Sequence, residues 1–104
     1  MRIVSPQGPL TLNHVEDFRE AAGSGGNGHL IVDLSEVPYM DSSALGALMS
    51  LYAISQKNRR GFAVARVPRK ILTQFQLTRI DMLVPIFDSV EQAHARLTTS
   101  AAGA

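Results

Sequence analysis

The sequence predicts an α/β domain: a single-layer mixed, mostly parallel β-sheet of about four strands with about four helices. Three observations carry this. Short apolar runs of strand character alternate with segments of helical period along the whole chain, which implies crossover units and a parallel sheet. The run Leu30-Ile31-Val32-Asp33-Leu34 is almost continuously apolar, as a strand covered on both faces must be. Gly, Pro and helix-capping residues stand at the joints between the runs. The 104 residues fit one domain over residues 1–98. Residues 99–104 are small and polar enough to read as a frayed tail. Each crossover is expected to be right-handed.

The elements follow in order. Arg2 to Val4 is a short strand, punctuated by Pro6 and Gly8. Asn13 and Glu16 have capping-box spacing, so residues 14–22 read as a helix, with Val15, Phe18, Ala21 and Ala22 on one side. Gly23 suits the left-handed C-terminal position, and residues 23–28 form a connector. Leu30 to Leu34 is the second strand, which Pro38 prevents from continuing. Asp41-Ser42-Ser43 opens a helix of about sixteen residues, largely apolar around its circumference and therefore largely buried. Basic residues at 57, 59 and 60 with Gly61 beyond form its stop signal. Phe62 to Val67 is the third strand, ended by Pro68. Lys70 to Leu77 is a short helix with Ile71, Leu72 and Phe75 on one face. Val84 to Phe87 is the last strand. Ser89 and Gln92 make a second capping box, opening a helix that carries Val90, Ala93 and Leu97.

Composition narrows the chemistry. There is no Cys, which removes disulfides, thiolate metal sites and cysteine nucleophiles together. The net charge is +1, which argues against general nucleic-acid binding. No run approaches the 18 or so apolar residues of a membrane span, and the N-terminus lacks the features of a signal peptide. A cytoplasmic protein is expected. The neutral total hides an asymmetry. Residues 1–41 carry six acids and two bases, whereas 42–80 carry no acid and seven bases. The stretch 57–70 reads either as solvated helix end and loop or as a basic face for an acidic partner.

Several patterns carry no chemistry. Residues 23–28 match Gly-x-Gly-x-x-Gly, but the pattern follows a helix and precedes a strand. A nucleotide loop needs the reverse order, so that phosphates meet a helix N-terminus. His14, His29 and His94 share no metal-ligand spacing. There is no Gly-x-Ser-x-Gly and no Gly-Lys-Ser/Thr after a Gly-rich loop. No enzymatic activity, cofactor or metal is expected.

The informative segment is Pro38-Tyr39-Met40-Asp41-Ser42-Ser43-Ala44-Leu45-Gly46. It is a strand-to-helix loop ending at a helix N-terminus. Either Asp41 or Ser42 can cap the helix. A second hydroxyl exceeds what one cap requires. A phosphate on Ser43 would sit beside unpaired backbone N–H groups at the positive end of the dipole. It would add roughly −1.5 to −2 charges next to Asp41. Gly46 inside a helix costs about 1 kcal/mol relative to Ala, which suggests close approach by another element.

Here the sequence resembles the STAS domains, the sulphate-transporter and anti-sigma-factor-antagonist family. The matching stretch runs from Leu30-Ile31-Val32-Asp33-Leu34 through Asp41-Ser42-Ser43-Ala44-Leu45-Gly46, and Pro85 to Ala93 is also similar. The resemblance covers about residues 3–98. It implies the anti-sigma factor antagonist fold and an adaptor that binds an anti-sigma factor with serine kinase activity and is switched by phosphorylation. Ser43 would be the phosphoacceptor, restored by a phosphatase. Tyr39, Met40, Asp41, Ser42, Ser43, Ala44 and Leu45 would form the partner-binding surface. The competing implication is a STAS subunit docked on the ATPase of an ABC-type lipid transport system, with no phospho-switch. Two departures stand out. The first edge strand is short or missing, leaving an edge through which a homodimer could form. Thr11 stands where antagonists commonly carry an Asp near the kinase-binding surface.

Overall fold

The computed structural model describes residues 2–23 and 28–103. Four strands, β1 (Arg2–Val4), β2 (Leu30–Asp33), β3 (Phe62–Ala65) and β4 (Ile86–Phe87), form one sheet in the order β1-β2-β3-β4. Every pairing is parallel, with Val4 beside Val32 and Val32 beside Val64. Four α-helices connect and close it: α1 (Val15–Gly23), α2 (Ser42–Lys57), α3 (Arg69–Leu77) and α4 (Val90–Gly103). The expected tail thus continues α4 to Gly103. The strand alternation divides the core. Val4, Val32, Phe62 and Val64 pack with residues of α1, α2 and α3 in one cluster. Ile31, Ala63 and Ala65 pack with Ala93 and Leu97 of α4 in another. Alanines on the α4 side let that helix lie close to the sheet.

Local chemistry explains most boundaries and corrects some expectations. Residue 13 does not cap α1. Thr11 precedes a 3₁₀ turn, Leu12–His14, which runs directly into α1. The Thr11 hydroxyl lies 3.1 Å from His14 Nδ1. At α4, Ser89 Oγ accepts from the Gln92 amide at 3.0 Å, and Gln92 Oε1 reaches back to the Asp88 amide at 3.2 Å. β4 is shorter than expected because the Val84 amide donates back to Ile80 O at 2.9 Å and closes a turn. β3 ends at Ala65 because Arg66 adopts the left-handed region, φ 56°. Its guanidinium lies 3.6 Å from Asp33, a buried carboxylate that also accepts from the Ser35 amide at 3.0 Å. The Gly-rich connector lies mostly outside the described residues.

α2 stops for a different reason from the expected one. The Arg60 amide donates to Ser55 O at 2.8 Å and the Arg59 amide to Gln56 O at 3.1 Å. Together these form a Schellman motif. Its left-handed position is held by Arg59, φ 57°, where Gly is strongly favoured. Gly61 stands two residues later and serves packing instead. Arg59→Gly is therefore expected to stabilise the domain by about 0.5–1 kcal/mol. A urea titration checks this through a higher midpoint at unchanged slope. An equal or lower midpoint would contradict it.

The sheet also splits the basic stretch. Lys57 ends α2 and Arg59 and Arg60 follow it, at the end of the domain where the strands begin. Arg66, Arg69 and Lys70 follow β3 at the opposite end, the same end as the α2 N-terminus. The run 57–70 is therefore not one continuous face.

Candidate functional site

The segment 37–46 lies beyond the C-terminal end of β2 and is tied down from two directions. Leu10 and Met40 form a parallel bridge between the loops that follow β1 and β2. The Leu10 amide donates to Tyr39 O at 2.9 Å and the Asp41 amide to Leu10 O at 3.1 Å. From α3, Gln74 Nε2 donates to Met40 O at 2.9 Å. Sequence reading missed Gln74, because its role depends on α3 packing against a loop 34 residues away.

Asp41 is the hub. Its Oδ1 accepts from the Ala44 amide at 3.0 Å, capping α2, and its Oδ2 accepts from the Leu12 amide at 2.9 Å. One carboxylate thus closes the first turn of α2 and fastens the turn that enters α1. This settles the capping alternative in favour of Asp41 and makes Ser42 and Ser43 the first two helical residues. Among the described residues, the Ser42 and Ser43 amides have no acceptor. Such orphan first-turn donors favour negative charge.

The seven expected contact residues divide. Tyr39 and Ser42 are exposed, and Asp41, Ser43 and Leu45 are partly exposed. Met40 and Ala44 are fully buried. They belong to the core and offer no contact surface, a correction that follows from the helical period placing Ala44 on the inward face of α2. Gly46 is also corrected. A Cβ placed there meets nothing within 4 Å, so no other element approaches it. Instead it faces a groove of about 360 Å³ between α2 and the end of α3, lined by Ser42, Leu45, Met49, Ile80 and Leu83. Leu83 is 54% exposed, and neighbouring Met82 is 77% exposed. The apolar residues between Leu77 and Leu83 were the available signal for this groove. Their position opposite α2 is not legible from the sequence.

The histidines do not converge on a metal site. His14 faces Thr11, His29 Nδ1 accepts from the Gly61 amide at 2.8 Å, and His94 is exposed on α4. Among the described residues, no group of three His, Asp or Glu side chains could hold a metal ion. No helix among them is long and apolar enough to cross a membrane.

The STAS domain family model matches residues 1–93. The chain belongs to the STAS domain family. Solved structures share the fold. A candidate anti-sigma factor antagonist from Thermotoga maritima superposes with TM-score 0.84 at 23% identity, over 92% of this chain and 86% of that one. The SulP transporter STAS domain from Vibrio cholerae gives TM-score 0.76 at 20% identity, over 98% and 84%. The anti-sigma factor antagonist SpoIIAA, in its unphosphorylated form, gives 0.68 at 17%, over 90% and 84%. In this STAS domain the Asp-Ser-Ser-Ala-Leu-Gly motif occupies the end of β2's loop and the first turns of α2.

Proposed function

We propose that this STAS domain is an anti-sigma factor antagonist-like regulatory adaptor, cytoplasmic and without catalytic activity of its own. Tyr39, Asp41, Ser42, Ser43 and Leu45 form its contact surface. In the unmodified state they bind an anti-sigma factor with serine kinase activity. The kinase transfers the γ-phosphoryl group of ATP to Ser43 Oγ, whose proton passes to a base on the kinase as ADP leaves. A phosphatase hydrolyses the ester and restores binding.

One observation carries this reading. Asp41 is committed to two backbone amides, while Ser43 is the second helical residue beside orphan amides. A phosphate there meets a favourable helix end, so the fold accepts it. The same roughly −1.5 to −2 charges, adjoining Asp41 and an apolar groove, would expel a partner seated on that surface. Incubation with the cognate kinase and ATP is expected to place one phosphate on the peptide containing Ser43, detected by mass spectrometry. Modification elsewhere, or undiminished uptake by Ser43→Ala, would overturn the assignment.

The competing reading is docking on the ATPase of an ABC-type lipid transporter without a switch. Thr11 favours it, because its hydroxyl engages His14 where an antagonist's acid would face a kinase. Such docking would survive Ser43→Asp.

A further inference from the structure

We propose that two copies of this chain pair antiparallel through the outer edge of β1, on a two-fold axis at Ile3. This goes beyond the adaptor reading and does not depend on it. The Arg2 amide donates inward to His29 O at 2.8 Å. In a parallel ladder the inward and outward groups alternate by residue. Arg2 and Val4 therefore face β2, and the N–H and C=O of Ile3 face outward. Among the described residues, nothing pairs with them. The Ile3 side chain is 48% exposed. A groove of about 440 Å³ lies between this edge and α1, lined in part by Pro6, Leu10, Asp17 and Phe18. The strand itself, Arg2–Val4, has no Pro or bulge to protect it from pairing.

A second copy fits this edge because the charges are self-complementary. Arg2 Nε donates to Ala21 O at 2.7 Å, which fixes the guanidinium at that level of α1. Asp17 lies one helical turn nearer the start of α1. That is toward the Val4 end of β1, since α1 runs back along the strand. Antiparallel pairing at Ile3 sets Arg2 opposite Val4 of the second copy, and so beside Asp17 of the second copy. The two-fold axis makes the same pair again. The two Ile3 residues exchange both backbone hydrogen bonds and bury their side chains against one another.

Sedimentation equilibrium of the purified chain over a concentration series tests this. The wild type is expected to show a monomer–dimer equilibrium that weakens as salt rises. Ile3→Pro removes the outward donor and the Ile side chain of the seam while leaving the bonds of Arg2 and Val4 to β2 in place, at an edge position where Pro is tolerated. It is expected to be monomeric throughout, with an unchanged circular dichroism spectrum. Asp17→Lys, on the exposed face of α1, is expected to raise the dimer Kd about tenfold at low salt and by less as salt screens the two exposed pairs. A wild type that stays monomeric to millimolar concentration would overturn the proposal. So would a dimer that neither substitution weakens.

Discussion

Gly61→Ala is expected to destabilise the domain by about 2 kcal/mol, within the range for overpacked sites. That corresponds to a fall in Tm of about 10 °C for a domain of this size. Gly61 joins the α2 stop to β3, and its backbone is committed on both sides. Its amide donates to His29 Nδ1 at 2.8 Å, and its carbonyl accepts from the Leu30 amide at 2.9 Å. A Cβ at this position lies 2.6 Å from His29 Nδ1 and 2.7 Å from Leu97 Cδ2. Neither neighbour yields easily. Moving the His29 ring breaks its bond to Gly61. Moving Leu97 disturbs the seat of α4, where it is 7% exposed. The mechanism is separable from general fragility by a double-mutant cycle. In a His29→Ala background one of the two clashes is gone, and Gly61→Ala should cost distinctly less there. A single variant melting with the wild type would refute this view of the α4 seat.

The second large effect is at Asp41. Asp41→Ala removes a helix cap, typically about 1 kcal/mol, and strips the acceptor from the Leu12 amide, which adds about 1 kcal/mol. The sum of about 2 kcal/mol is expected in a denaturant titration. Asp41→Asn retains one acceptor oxygen and should lose about half as much. If both variants unfold like the wild type, the carboxylate does not join the two loops as described. Local consequences should follow the global ones. Hydrogen exchange at the Leu12 and Ala44 amides should accelerate more than exchange in β2 and β3.

Much of the fold was legible because local and tertiary preferences agree. Leu30 to Asp33 is a buried strand whichever helices cover it, and Asp41-Ser42-Ser43 marks a helix start with its own capping chemistry. Where preferences conflict, tertiary packing overrides the local signal. Gly61 has the residue type usual at a left-handed helix stop. The stop is at Arg59, a residue no propensity argument selects, and Gly61 is small because His29 and Leu97 converge on it. Asn13 was a plausible cap by spacing. A 3₁₀ turn over Leu12–His14 places residue 13 inside helical backbone instead, after Thr11. Gly46 inside a helix suggests a close contact, but its Cβ side is open. The candidate site was half legible. The serines and their place after β2 follow from the motif, which leaves the cap open between Asp41 and Ser42. The burial of Met40 and Ala44, the Gln74 tether and the groove against Leu83 depend on how α2 and α3 lie on the sheet.

In the proposed adaptor, the α2 start is a contact surface gated by charge on Ser43. The direct measurement is a parallel pull-down with wild type, Ser43→Ala and Ser43→Asp, quantifying one bound serine kinase-type partner. Wild type and Ser43→Ala should retain it equally, and Ser43→Asp should lose it while melting within a few degrees of the wild type. Equal retention by all three would contradict the switch.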